Sequence, residues 1–536
     1  MEAHGGRLAV EVLRAHGVDA MFTLSGGHLF VLYDGAVQAG LRLIDTRHEQ
    51  TAVFAAEGWA KVTRQLGCAA ITAGPGVTNG VSAMTAAWMN GSPVVVLAGR
   101  APQLRWGAGS LQELDHVPIV APVTKRAATA TSAESIVTEI DAACRAASTP
   151  HRGPAFVDIP LDAFGPGTVD VPAVTGVRRG AEVDEDAVAA VAKLVAAAER
   201  PVLVAGGDVY WAEAEHAMQR FVEHARVATF VNGMGRGTLP ADHELAFSRA
   251  RSVALKQADL VLVAGTPLDF RLGFGRFGDA QVVHLCDAAS QVAAHADLAA
   301  STAGDLAATF EALAVSATPP AAREDWIALL RDEERAKRAL EVPMLGADSA
   351  PIKPARIYGE LRKRLARDAI VIGDGGDFVS YAGKFVDSYV PGTFLDPGPY
   401  GCLGMGPGYA LAAGIAHPDR QVVLLLGDGA IGFALGDFEA LVRHGVNVVA
   451  IVGNNGIWGL EKHPMQALFG YDVVAELSPG IRYDQVVGAL GGHGELVTEP
   501  SAIGPALDRA FATKGVSLVN ILTDPGDAYP RSSNLA

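Results

Sequence analysis

Six short apolar runs that each end in glycine dictate what this 536-residue chain can become. They are Ala20-Met-Phe-Thr-Leu-Ser-Gly-Gly, Pro93-Val-Val-Val-Leu-Ala-Gly, Pro201-Val-Leu-Val-Ala-Gly-Gly, Leu260-Val-Leu-Val-Ala-Gly, Ala369-Ile-Val-Ile-Gly-Asp-Gly-Gly and Val422-Val-Leu-Leu-Leu-Gly-Asp-Gly. Unbroken β-branched and Leu runs without polar alternation predict strands covered on both faces, which is the condition of a parallel sheet. Ala-rich amphipathic stretches of helical length lie between them. The pattern predicts an α/β chain of repeated βαβ units, each parallel sheet flanked by helices. Pro/Gly-rich residues 164–185 and residues 316–325 lack periodicity and read as linkers. They divide the chain into three α/β domains, 1–165, 186–315 and 326–536. A weak internal echo, Gly17-Val-Asp-Ala … Ser25-Gly-Gly against Arg367-Asp-Ala-Ile … Asp374-Gly-Gly, suggests that the first and third are related.

A formal net charge of −16 argues against a general nucleic-acid or anionic-membrane binder. Four scattered cysteines without a CxxC pair make a disulfide framework or zinc site a poor fit, and a reducing cytoplasm is the expected location. The amino-terminal residues show no basic-then-apolar leader, and no apolar run approaches the ~18–20 residues of a membrane helix.

The sharpest local feature is Gly427-Asp428-Gly429, entered by the strand Val422–Leu426 and left by a predicted helix from Ala430 to His444. The next strand, from Val448, ends in Gly453-Asn454-Asn455-Gly456. In a parallel sheet both loops stand at carboxyl ends of strands, where open α/β sheets bind ligands. Asp428 offers a hard carboxylate and Asn455 an amide oxygen, a set suited to a partly hydrated Mg²⁺ bound to phosphates. The helix start at Ala430 adds N–H groups for a diphosphate. Alone, Gly-Asp-Gly also fits a plain strand-to-helix turn with an Asp cap; the Asn pair one crossover further on favours the metal. In the first domain, Glu49 opens a helix of small residues, a routine place for an acid, and Thr72-Ala73-Gly74-Pro75-Gly76-Val77-Thr78-Asn79 follows.

Residues 427–455 resemble the GDG…NN motif of thiamine-diphosphate-dependent enzymes. The resemblance implies Mg²⁺ held by Asp428, Asn455 and the backbone oxygen of Ile457, with Gly427, Gly429 and Ala430 at the diphosphate. Tyr400-Gly401-Cys402-Leu403-Gly404-Met405-Gly406 resembles the family's GxMG stretch, in which Leu403 would prop the bent cofactor and Gly401 would contact it. Asp374-Gly375-Gly376-Asp377 resembles its other diphosphate loop, through Gly376 and Asp377. Residues 5–160 resemble the pyrimidine-binding domain, implying cofactor contacts from Gly26, Pro75 and Asn79. Glu49 would be the acid that hydrogen-bonds the aminopyrimidine and drives its activation, a task suited to a buried carboxyl. In the family these halves meet across a subunit interface, so a homodimer or homotetramer is implied. Gly109-Ser-Leu-Gln-Glu-Leu-Asp115 resembles the FQE segment with Leu111 in place of Phe, giving Gln112 a substrate-facing role. His28 is a second candidate to face a carbonyl substrate.

The resemblance covers almost the whole chain and spans acetolactate synthases, 2-hydroxyacyl-CoA lyases and oxalyl-CoA decarboxylases. Asn455-Gly-Ile-Trp-Gly is closer to the lyases' NNGIY, and Asn232-Gly-Met-Gly-Arg-Gly237, Arg249-Ala-Arg251 and the tail Pro530–Leu535 lean the same way. The expected reaction is therefore reversible cleavage of a 2-hydroxyacyl-CoA to an aldehyde or ketone plus formyl-CoA. Condensation of two pyruvates, and oxalyl-CoA decarboxylation, are the alternatives, so the small-molecule substrate is an acyl-CoA or a 2-oxo acid. The central domain would take the ADP part of coenzyme A, or FAD in the synthase reading. Asp287, after Val282-Val-His-Leu, is placed at a ribose and Arg251 at a phosphate. Gly273-Phe-Gly-Arg-Phe-Gly278 matches GxGxxG by letter only, since it does not open a helix after a strand. A catalytically silent nucleotide-binding protein could share this architecture, but intact Glu49, Asp428 and Asn455 argue for an enzyme.

Overall fold

The computed structural model describes residues 2–168, 181–316, 322–527 and 529. After the short strand β1 (Glu2–His4), six parallel strands build the first sheet: β2 (Ala20–Thr23), β3 (Arg42–Asp45), β4 (Gly67–Ile71), β5 (Val94–Arg100), β6 (Arg126–Thr129) and β7 (Ala155–Pro160). Their order is β3-β2-β4-β5-β7-β6. Then β8 (Pro166–Thr168) pairs antiparallel with β1. The middle sheet holds β9 (Pro201–Ala205), β10 (Ala228–Val231), β11 (Leu260–Ala264), β12 (Gln281–Cys286) and β13 (Ala300–Ala303), ordered β10-β9-β11-β12-β13. The third holds β14 (Ile370–Asp374), β15 (Phe394–Leu395), β16 (Val422–Gly427), β17 (Val448–Asn454), β18 (His493–Val497) and β19 (Val516–Leu522), ordered β15-β14-β16-β17-β19-β18.

All six glycine-terminated runs became strands, and β4, β5, β9, β11 and β17 are buried along their whole length. That is the outcome expected when helices cover both faces. The first and third sheets share one strand order, which is the structural content of the echo between Ser25-Gly-Gly and Asp374-Gly-Gly. They also share one hydrophobic core. Its centre is the crossing of helix Glu49–Thr63 with helix Gly406–Ala416. Backbones approach so closely there that a Cβ on Gly408 would lie 2.9 Å from Phe54 Cβ, and one on Gly58 2.8 Å from Tyr409 Cα.

Three expectations change. Residues 316–325 are not simply a linker: helix Ala322–Leu345 sends Trp326, Ile327 and Leu330 into the middle core. The seam at 326 thus falls inside a helix. Arg323, fully buried, donates to the carbonyls of Val195, Ala198 and Ala225, tying that helix to the ends of two others. In the 164–185 stretch, β8 occupies 166–168, while 169–180 lie outside the described residues. Finally, the helix expected over 430–444 is broken into Asp428–Ala434, a tight turn Leu435–Asp437, and Phe438–Arg443. Gly432 and Gly436 weaken it, and Asp437 turns aside to bind the first domain. The tail Pro530–Leu535 lies outside the described residues.

Candidate active site

In the third sheet Gly427 pairs with Gly453, so the loops after β16 and β17 emerge side by side. Asp428 is the first residue of its helix and is buried. Its carboxylate accepts from Gly429 N at 3.1 Å and Gly456 N at 2.6 Å. Burial pushes its pKa up to about 6, and only backbone N–H groups oppose the rise. Asn455 Oδ1 accepts from Ile457 N at 3.2 Å, so the other two expected metal ligands, Asn455 and Ile457, form one turn, whose Gly456 N–H reaches the Asp428 carboxylate. The Trp458 ring covers Gly429, where a Cβ would come within 2.4 Å of it. Across the β14–β16 crevice, Gly375 (φ 83°) presses against Ala430 and Leu403, with room for no side chain. Asp374, fully buried, accepts from Gly404 N (3.1 Å) and Gly406 N (2.8 Å), bracing the stretch that carries Leu403.

The first-domain residues gather at the matching crevice. His48 caps the Glu49 helix by accepting from Gln50 N. Glu49, only 8 % exposed, accepts from Asn79 Nδ2 at 3.0 Å. A Cβ on Gly76 would lie 3.6 Å from Glu49 Oε1, and one on Gly26 would strike Thr72 at 2.4 Å. Pro75 opens the next helix. Gln112, at φ 58°, lies against Gly74. His28 is buried, its Nδ1 3.4 Å from Thr72 Oγ1, and burial lowers its pKa. The two halves adjoin within one chain. Asp437 accepts from Arg47 N (2.8 Å) and Thr51 Oγ1 (2.7 Å), and Gln50 Nε2 is 3.5 Å from Leu403 O.

Comparison with known proteins decides the family. The chain matches the model "Thiamine pyrophosphate enzyme, N-terminal TPP binding domain" over residues 3–119, the central domain over 188–313 and the C-terminal TPP binding domain over 374–521. The chain belongs to the thiamine pyrophosphate enzymes. Among its relatives is a Mycobacterium tuberculosis protein named acetolactate synthase large subunit IlvG, 56% identical over 543 residues, covering 99% of this chain and 98% of the relative. A Caenorhabditis elegans 2-hydroxyacyl-CoA lyase 2 is 32% identical over 582 residues (98% and 90% covered), and the Homo sapiens protein of that name 32% over 548 (92% and 85%).

This thiamine pyrophosphate enzyme has a cradle that fits the cofactor, also called thiamine diphosphate. Cβ atoms on Gly376, Gly401 and Gly427 would meet nothing within 4 Å, so backbone lies open where phosphates would approach. Among the described residues, no cationic side chain offsets the burial of Asp428, as suits a carboxylate awaiting a metal.

The central domain departs from expectation in one respect. Asp287 and Arg251 do not share a cavity. A cavity of about 380 Å³ between the three domains is lined by Lys125, His151, Arg152 and Asp208, with Asp287 behind His151 at 3.3 Å. Arg251 opens instead on a neighbouring cavity of about 300 Å³, with Arg236, Arg249 and Arg338. No pattern in the sequence marks His151 or Arg152 as site residues. Burial would lower the pKa of His151, but the Asp208 and Asp287 carboxylates raise it to about 10. Their ligand atoms lie within 4.8 Å of one another, as a metal site would require. Arg152 and Lys125 stand beside them, however, so the carboxylates already have cationic partners.

Proposed function

We propose that this enzyme is a Mg²⁺-dependent carboligase that joins 2-oxo acids, with acetolactate formation from pyruvate as its reaction. The observation that carries the reading is 56% identity over 99% of the chain to a protein named acetolactate synthase, against 32% for those named 2-hydroxyacyl-CoA lyase 2. It reverses the preference drawn from Asn455–Trp458 and the middle domain. Local motifs of a few residues weigh less than likeness along the full chain.

When bound, thiamine diphosphate supplies an electron sink for breaking and making a bond at a carbonyl carbon. Asp428, Asn455 and the Ile457 carbonyl would hold the metal, and Gly376, Asp377, Gly427, Gly429 and Ala430 the diphosphate. Leu403 would support the bend of the cofactor, and Gly26, Pro75 and Asn79 the pyrimidine side. Glu49 would hold and move the proton at the aminopyrimidine; its buried site beside Asn79 excludes water from that exchange. Gln112 and His28 would orient the carbonyl substrate. We also propose a homodimer or homotetramer, since Leu111, next to Gln112, and Phe433, against Trp458, are exposed in the single chain. The cavity lined by Lys125, His151 and Arg152 would take an ADP-bearing ligand, FAD in this reading.

A lyase acting on 2-hydroxyacyl-CoA is the second reading, favoured by the arginine-lined cavity at Arg251, which suits the phosphates of coenzyme A. The holoenzyme should be offered pyruvate and, separately, formyl-CoA with an aldehyde. Acetolactate as the main product supports the first reading; 2-hydroxyacyl-CoA as the main product replaces it with the second. Glu49→Gln should lose turnover on either substrate while still binding cofactor, and retained turnover would remove Glu49 from its role.

A further inference from the structure

A fully buried histidine that the reaction does not use lies directly beneath the Gly74 turn. His116 Nε2 accepts the Gly74 N–H at 2.9 Å, and its Nδ1 is 2.9 Å from Asp158 Oδ2. An N–H pointing at Nε2 requires that nitrogen to be unprotonated, so the ring proton sits on Nδ1 and is donated to Asp158. Asp158 Oδ2 also accepts from Arg100 Nη1 at 2.8 Å. Arg100 in turn binds Asp115 and lies 4.1 Å above the Trp106 ring. The network thus locks one histidine tautomer with its free lone pair aimed at one backbone amide.

That amide belongs to the turn on which the first-domain half of the pocket rests. Gly74 has φ 59°, and a Cβ there would lie 2.9 Å from Gln112 Cβ. Gln112 itself is held at φ 58°, a backbone state that side-chain-bearing residues rarely adopt unless their surroundings enforce it. Two residues past Gly74, Gly76 faces Glu49, while Thr72 on the other side faces His28. Gln112 therefore borders the residue whose amide His116 fixes, and Glu49 and His28 border positions two residues to either side of it.

We propose that His116 is a positioning residue. By accepting the Gly74 N–H it holds the turn against Gln112, and so sets the substrate-facing wall without touching substrate. The proposal rests on the substrate-facing reading of Gln112. It explains why a histidine, and not an apolar residue, fills this fully buried position.

Three variants of the full chain, loaded with thiamine diphosphate and Mg²⁺, separate the two bonds. His116→Asn keeps an amide donor for Asp158 but presents no acceptor to Gly74. His116→Gln brings its Oε1 to the place of Nε2, and His116→Phe fills the volume with neither group. Hydrogen–deuterium exchange over residues 72–79 and 108–114 should rise about tenfold or more in His116→Asn and His116→Phe and stay near wild type in His116→Gln. In the same variants KM for the 2-oxo acid should rise about tenfold with kcat much less affected, and His116→Gln should restore it. A purely structural role would lower melting temperature in all three without this split. The Asn and Gln variants carry the test should His116→Phe not fold. Wild-type exchange at 72–79 in His116→Asn, faster exchange there without any change at 108–114, or a His116→Gln as impaired as His116→Asn would each overturn the proposal. If wild-type enzyme turns over no 2-oxo acid, the functional reading fails, while the exchange measurements still decide the role of His116.

Discussion

Asp374→Asn should change how stability depends on pH, by an amount the structure sets. Asp374 is fully buried, and its compensation is the pair of N–H groups from Gly404 and Gly406, so burial pushes its pKa up to about 6. Against an ordinary aspartate near 3.9 and about 1.4 kcal/mol per tenfold in proton affinity, carrying this charge at neutral pH costs the folded chain about 3 kcal/mol. The folded pKa lies above the unfolded one, so the sign follows. Below about pH 4 the group is protonated in both states and carries no penalty. Between about pH 4 and 6 the unfolded chain gives up its proton first, and folded stability falls. The amide introduced by the substitution never ionises. It does leave one of the two N–H groups facing an NH₂, a loss of about 1–3 kcal/mol that does not vary with pH. The difference in melting temperature between variant and wild type should therefore shift in favour of the variant as pH rises from about 4 to about 7.5. At about 2–4 °C per kcal/mol for a unit of ~200 residues, that shift is about 6 °C or more. Scanning calorimetry of both cofactor-free chains across this range reads it directly. A melting-temperature difference that does not change with pH would refute the argument that Asp374 is held as a buried charge only partly compensated by its two N–H donors.

Other perturbations test the remaining parts of the frame. Asp428→Ala should abolish the rise in melting temperature that Mg²⁺ with thiamine diphosphate gives the wild type, which by linkage is about 3–4 kcal/mol at 100–1,000 times Kd; an equal rise in both would exclude Asp428 as a metal ligand. Gly408→Val should cost about 1–3 kcal/mol by forcing the Glu49 helix off the Gly406 helix, seen as earlier urea unfolding, and no loss would contradict the close crossing. Lys61 and Glu57, both buried, pair at 3.0 Å, and Lys61 also donates to Tyr409 OH at 2.8 Å. Lys61→Met should cost about 3–5 kcal/mol, and Lys61→Met with Glu57→Leu should cost less than Lys61→Met alone, because the single change strands a buried carboxylate; urea unfolding of the single and double variants reads the difference.

What was legible in the chain was whatever lies close along it. Gly427 to Gly429 and the Asn455 turn sit on neighbouring strands joined by one crossover, and strand periodicity alone brings them together. The Asp437 clamp on Arg47 and Thr51 bridges separations of 390 and 386 residues, and nothing local in Leu435-Gly436-Asp437 marks it. His116 is likewise 42 residues from the Gly74 amide that it accepts, and in sequence it is one more polar residue in a loop. Linker boundaries shifted for a related reason: Ala322 to Leu330 looks like the end of a polar stretch until Trp326 and Leu330 find the middle core. The lyase expectation rests on short motifs, Asn455 to Gly459, Asn232 to Gly237, Arg249 to Arg251 and the tail, and likeness along the whole chain supports the synthase reading better.

The shared strand order explains why the two halves of the proposed site come from such distant segments. In each outer sheet the first strand is flanked by the second on one side and the third on the other, so the chain direction of the connections reverses between the first and third strands. Ligands of open parallel sheets bind at that reversal. In the first domain the loops there carry Gly26 and His28 after β2 and Gly74 and Pro75 after β4; in the third they carry Gly375 and Gly376 after β14 and Gly427 to Gly429 after β16. The helices that follow the second strand in each domain are the Glu49 and Gly406 helices, and these are the two that cross at Gly58 and Gly408. At one end of this crossing the start of the Glu49 helix meets the Leu403 loop, Gln50 Nε2 lying 3.5 Å from Leu403 O. Chemical division of labour then needs only a change of residue at matching positions. Where the third domain opens its helix with the buried Asp428 carboxylate, the proposed metal ligand, the first has Pro75, which brings neither charge nor N–H; where the third has the Leu403 turn, the first has Glu49. In the reading proposed above, the shared strand order would thereby supply an anion-and-metal end in the third domain and a proton-moving end in the first.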